Sequence, residues 1–137
     1  MSFEVSADAY LRFMGKYSEP LARLFADLAG IRAGMRVLDV GCGPGALTAE
    51  LARRGGPDAV SAVEPSASFA AATRDRLPGV AVRQAAAEQL PFPAASFDAT
   101  LAQLVVHFMR DPVQGLREMG RVTRRISRSP CTGSAMK

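Results

Sequence analysis

The stretch Val37-Leu38-Asp39-Val40-Gly41-Cys42-Gly43-Pro44-Gly45-Ala46 constrains this chain more than any other part of it. Val37 to Val40 reads as a short buried strand, and Ala46 to Arg54 reads as a helix. Between them lie Gly41, Gly43 and Gly45. A strand that runs through a glycine-dense turn into a helix N-terminus is how open α/β sheets hold a nucleotide-like ligand. The backbone there turns tightly and sits against the ligand, where a Cβ would intrude.

Gly41, Gly43 and Ala46 also satisfy G-x-G-x-x-G/A, so the glycine spacing alone leaves an NAD(P)-binding oxidoreductase domain open. Two residues point elsewhere. Asp39, at the end of the strand, would repel a pyrophosphate, and Pro44 withholds an N–H from a loop that a phosphate needs rich in donors. A ligand with an ammonium group and no phosphate suits the acid, and S-adenosylmethionine (SAM) is such a ligand. The string VLDVGCGPG resembles the first motif of class I SAM-dependent methyltransferases, in the group of type-11 domains that includes ubiquinone and menaquinone biosynthesis enzymes. The resemblance implies a Rossmann-like doubly wound parallel sheet. It also implies transfer of the sulfonium methyl of SAM to a small-molecule acceptor.

The match runs from about Tyr10 to Thr123 and carries site expectations with it. Asp39, Gly41, Cys42, Gly43 and Gly45 would hold the methionine end of SAM. Ala59 to Val63 forms a second strand that ends in Glu64, an acid about 20 residues beyond the glycine turn and so placed for the ribose hydroxyls, with Pro65 after it. Ala86-Ala87-Glu88 precedes Leu90-Pro91-Phe92 and resembles the family's adenine loop. Relatives carry Asp where this chain has Ala86, so Glu88 or a backbone carbonyl must accept from the adenine amino group. Gln103 would point near the cofactor cleft. His107 and Tyr17 are the candidates for a catalytic role: His107 follows the fourth strand where family members carry residues facing the substrate, and Tyr17 belongs to an N-terminal lid over the cofactor. The chemistry itself asks for in-line placement more than for an acid or base.

The remaining elements follow from period and punctuation. Tyr10, Phe13, Met14 and Tyr17 share one helical face. A second helix starts at Ser18 with Pro20 in its first turn, buries Leu21, Leu24, Phe25 and Leu28, and ends at Gly30. Ser66 caps a helix that turns Phe69, Thr73 and Leu77 inward, and Val80 to Arg83 is a third strand. A fourth strand spans about Ala99 to Val106, its long apolar run suited to burial on both faces. Asp111-Pro112 opens a last helix through Val113, Leu116 and Val122. The organisation expected is 1–30 as N-terminal helices, 31–123 as the SAM-binding core and 124–137 as a basic tail.

Charge separates along the same lines. From Arg121 onward there are four Arg and one Lys with no acid, whereas the chain before it carries 12 basic residues against 13 acidic ones. The basic character belongs to the end of the chain, which makes a nucleic-acid-binding fold improbable. No apolar run approaches a membrane span and no signal-peptide pattern opens the chain, so the cytoplasm is expected. Cys42 and Cys131 fit a reducing compartment and form no metal-site spacing. Past Thr123 the resemblance fails abruptly. Relatives continue into a fifth strand, whereas Arg125-Ile126-Ser127-Arg128-Ser129-Pro130 shows no strand or helix period and reads as disordered. A truncated or frame-shifted product is the expected explanation, and a tail that touches nucleic acid or an acidic partner is the rival one, resting on four arginines. The sheet would then keep strands 3-2-1-4 and lack strands 5 to 7. Leu101, Leu104, Val105 and Val106 would line an exposed edge prone to self-association. A non-catalytic SAM-binding remnant is the third reading this leaves.

Overall fold

The computed structural model describes residues 19–103 and 109–124. Tyr17, Ser18, Leu104, Val105, Val106, His107 and Cys131 lie outside the described residues. In chain order the elements are a helix through residues 19–28 (α1), β1 (Val37–Val40), α2 (Ala46–Gly55), β2 (Val60–Val63), α3 (Ala67–Arg76), β3 (Ala81–Arg83), β4 (Ala99–Leu101) and α4 (Pro112–Val122). The four strands form one parallel sheet in the order β3-β2-β1-β4. That is the order the sequence resemblance implies.

β1 is buried along its whole length because helices cover both faces of the sheet. Side chains alternate across it. Val37 packs in one core with Ala22 and Ala26 of α1 and Leu47 and Leu51 of α2. Leu38 and Val40 pack in a second core with Ala87, Leu90, Phe97 and Val122. By the same alternation Asp39 shares Val37's face, the face that α2 covers.

Polar ties hold the helices in place. Arg54 of α2 donates to Asp27 of α1 at 2.6 Å, to the Arg23 carbonyl at 3.1 Å and to Glu50 at 2.7 Å. The Arg53 guanidinium, and after it Arg54's, hold the Glu50 carboxyl below its usual range. On the opposite face Glu118 accepts from the Leu90 N–H at 2.9 Å, and Arg121 donates to the Leu90 and Phe92 carbonyls. The segment after β3 is thereby stapled to α4.

α1 departs from the expected orientation. Ala22 and Ala26 face the core, whereas Leu24 and Leu28 are 53% and 78% exposed. The buried set is shifted by one residue from the expected Leu21-Leu24-Phe25-Leu28 stripe, a rotation of about 100°. Small side chains let the helix approach the sheet closely, and the larger leucines take the flank. The C-terminus is as expected: Gly30 has φ 71°, and its N–H and that of Ile31 bond back to Asp27 and Ala26 carbonyls.

The last helix starts as its sequence indicates, with Asp111 accepting from the Gln114 N–H at 3.2 Å ahead of Pro112. Val113 and Leu116 nevertheless face solvent, and Gly115 and Val122 are the buried residues. A Cβ on Gly115 would meet Met109 Sδ at 2.5 Å and Ala87 Cβ at 3.5 Å, so this glycine is a contact point. Beyond the helix, Thr123 forms a parallel bridge to Phe97 just ahead of β4, and the Arg124 N–H donates to the Phe97 carbonyl at 2.7 Å. Arg124 also pairs with Asp98 at 2.5 Å, so the chain is still tied to the core at that residue.

Candidate cofactor site

The glycine loop leaves the end of β1 and is held by β2. The N–H groups of Gly41 and Cys42 both donate to the Val63 carbonyl, at 2.9 and 3.0 Å. Gly41, Gly43 and Gly45 have φ of 70°, 56° and 100°, a left-handed run that L side chains resist. The Gly43 N–H donates to Glu64 Oε1 at 2.8 Å, and the Gly45 N–H to the Cys42 carbonyl at 3.0 Å. Pro44 has no N–H to give.

Each described loop donor is therefore spent on a protein acceptor. A phosphate needs such donors, and this loop does not offer them. The glycine pattern is shared with dinucleotide sites, but the bonding is not. An oxidoreductase reading has no support here.

Two buried carboxylates flank the loop. Asp39 is 1% exposed and accepts a hydrogen bond from Thr48 Oγ1, in the first turn of α2, at 2.6 Å. Burial pushes its carboxyl up to about 7; the Thr48 bond opposes the shift and the Glu64 charge adds to it. Glu64 sits at the end of β2, where its backbone continues the ladder to β3 through the Arg83 carbonyl and the Ala85 N–H. Its second carboxylate oxygen accepts from the Ser66 N–H at 2.9 Å. Cys42 is enclosed between them, and burial, then the Asp39 and Glu64 charges, push its thiol up.

The other expected residues divide. Pro65 is exposed, and its carbonyl accepts from the Gln84 side chain at 3.1 Å. Ala86 is exposed and Ala87 is buried. Glu88 turns its carboxylate toward α4, where it accepts from the Asp111 N–H at 2.8 Å. Gln103, two residues past the end of β4, lines a groove of about 230 Å³ with Ala102, Leu21, Leu24, Phe25 and Leu28. Thr48, Thr73 and Arg76 also contact this site and were not expected from sequence. Thr48 was legible, since a polar residue in the first turn of α2 follows the acid by nine positions.

Two carboxylates beside a glycine loop with no donors to spare match a cationic, hydroxyl-bearing ligand, and SAM is one. The methyltransferase-domain family matches residues 38–127. The chain belongs to that family. It is 38% identical over 109 residues to the ubiquinone/menaquinone biosynthesis C-methyltransferase UbiE of Hahella chejuensis, covering 74% of this chain and 44% of that protein. It is 39% identical over 102 residues to the demethylmenaquinone methyltransferase of Beutenbergia cavernae, covering 74% of this chain and 42% of that protein. Among solved structures, the YcgJ protein of Bacillus subtilis superposes with a TM-score of 0.69 at 27% identity, over 76% of this chain and 46% of the other. The chain thus spans less than half the length of these relatives. The family is one of methyltransferase domains, and both of these curated relatives are methyltransferases by name. Among the described residues no helix is long and apolar enough to cross a membrane.

Proposed function

We propose that this chain carries the SAM-binding half of a methyltransferase for small-molecule acceptors. The observation that carries the reading is the Asp39 and Glu64 pair on either side of a loop whose own amides are engaged. When bound, SAM would supply an activated methyl group on a sulfonium.

The chain's residues supply binding and orientation. Asp39, on β1 behind the loop, offsets the positive charge of the methionine end, and Gly41, Cys42, Gly43 and Gly45 let that end approach the backbone. Glu64 is acceptor-only when ionised and so suits a ribose diol. Ala86 and Ala87, with Pro65 opposite, border the adenine. Because Glu88 holds the start of α4, we assign the adenine amino contact to a backbone carbonyl of this loop. Gln103, beside the groove at β4, is assigned to the acceptor side, with Tyr17 and His107 retained as acceptor-side candidates.

We further propose that methyl transfer requires more of the family's fold than the described residues provide, and that the cytoplasm is the setting. The test is calorimetry on Asp39→Ala and Glu64→Ala. Each removes charge-assisted hydrogen bonds worth about 1.5–3 kcal/mol, so SAM affinity falls roughly ten- to a hundredfold. Unchanged affinity in both variants would place the site elsewhere.

A further inference from the structure

The loop Gly43-Pro44-Gly45 has no side chain able to fix its own shape beyond the proline ring, and two of its three residues hold left-handed φ. Its shape is set from outside, and α3 is the element that reaches it. Thr73 is fully enclosed and donates its hydroxyl to the Gly43 carbonyl at 2.8 Å. The same oxygen lies 3.9 Å from Cys42 Sγ, which donates to it. One turn further on, Arg76 Nη1 donates to the Pro44 carbonyl at 2.9 Å. A Cβ on Gly45 would stand 3.0 Å from Thr73 Oγ1 and 3.1 Å from Thr73 Cγ2. Each residue of the loop is thus met by a side chain from one face of α3, about 30 positions away in sequence.

A hydroxyl sealed from water is costly unless it is used. Valine would fill the Thr73 position equally well if filling space were its whole task. The hydroxyl instead binds the one loop residue whose N–H goes to Glu64. Gly43 is therefore gripped on both sides of its Cα, its amide by the ribose-side carboxylate and its carbonyl by α3. We propose that Thr73 and Arg76 are positioning residues for the cofactor: they clamp the loop carbonyls so that the loop keeps the shape in which it meets SAM. This rests on the SAM reading above, and neither residue is assigned a contact with the ligand.

The experiment uses the 137-residue chain and the variants Thr73→Val, Thr73→Ser and Arg76→Met. Two readouts are taken: the affinity for S-adenosylhomocysteine by calorimetry, and amide hydrogen exchange at Gly43 and Gly45 in the ligand-free protein. Thr73→Val keeps the shape and removes the donor, so affinity falls about five- to tenfold, in line with one lost buried hydrogen bond. Exchange at Gly43 and Gly45 quickens while the β3 amides stay unchanged. Thr73→Ser restores both, which a space-filling role would not allow. Arg76→Met, on an exposed side chain, weakens binding about two- to threefold. Wild-type affinity and exchange in Thr73→Val overturn the proposal, as does equal damage from Val and Ser. Should Thr73→Val fail to fold, Arg76→Met decides in its place, and no change in either readout overturns the proposal. A wild-type chain that binds no S-adenosylhomocysteine contradicts the SAM reading, while the exchange arm still decides whether α3 clamps the loop.

Discussion

The two ends of the sheet's central strand pair differ in how complete they are. On the β2 side, the loop amides, both carboxylates and the backs of the loop carbonyls are joined to one another through Val63, Thr48, Ser66, Thr73 and Arg76. On the β4 side, Leu24 and Leu28 of α1 are exposed over one face, and Val113 and Leu116 of α4 are exposed as well, at 58% and 51%. β4 is the outer strand of the described sheet, yet Leu101, expected on an exposed edge, is buried in the core because it packs with α1 and α2, and Thr100 bonds to Thr123 at 2.7 Å. On the reading proposed here, SAM recognition belongs to the β2 side, and the apolar border takes no part in it.

The largest effect is expected from a single methyl group in the loop. Gly45→Ala adds a Cβ at φ 100° and presses it against Thr73. Left-handed strain and overpacking together cost about 2–4 kcal/mol, and SAM binding should be lost with it. Gly120 is the control on the border side, because a Cβ there meets nothing within 4 Å and lies in a helix. Gly120→Ala should stabilise by about 0.5–1 kcal/mol and leave SAM affinity unchanged. Thermal melts with a SAM titration read both.

Acidity sharpens the same contrast. The Asp39 carboxyl is raised to about 7 in the ligand-free protein, first by burial. Below that pH it holds a proton, and a cationic ligand requires that proton to leave. SAM affinity should therefore fall as pH drops below 7, by up to tenfold per unit, and Asp39→Asn should flatten the dependence. Stability runs the other way. The folded protein keeps a proton that the unfolded chain releases above the ordinary carboxyl value of 3.8, so the ligand-free fold loses stability as pH rises between about 4 and 7. Chemical denaturation across that window, with and without the Asn substitution, checks the sign.

The border should answer to different residues. We expect the chain to self-associate through the β4 border, and Leu24→Ser with Leu28→Ser to reduce that association. SAM affinity should stay within about twofold, because neither leucine touches the loop. Light scattering coupled to size exclusion reads the first effect and calorimetry the second. A monomeric wild-type chain with full turnover would remove the distinction between the two sides.

What was legible in the sequence follows the same division. Val37–Val40, the glycine turn and Glu64 at the end of β2 were readable because each leaves a local pattern: an apolar run, closely spaced glycines, an acid closing a strand; the strand order came from the family resemblance alone. The α1 face was misread because Leu21, Leu24, Phe25 and Leu28 make a more apolar stripe than Ala22, Phe25, Ala26 and Ala29, and hydrophobicity alone selects the leucines. The choice between those two stripes rests on the size of the side chains that can approach the sheet. Glu88 looked like an adenine partner from its place in the loop, yet its carboxylate caps the approach to α4, a contact across 23 residues. Thr73 was legible as an inward residue, but its role and that of Arg76 were not, because their partners are backbone carbonyls brought near only by the fold.

The central claim is that the carboxylate-flanked loop is a SAM site and not a dinucleotide site. Calorimetry of the 137-residue chain with SAM and NAD side by side tests it most directly. The account predicts one SAM bound per chain and no heat of binding with NAD. Binding of NAD without binding of SAM would contradict it.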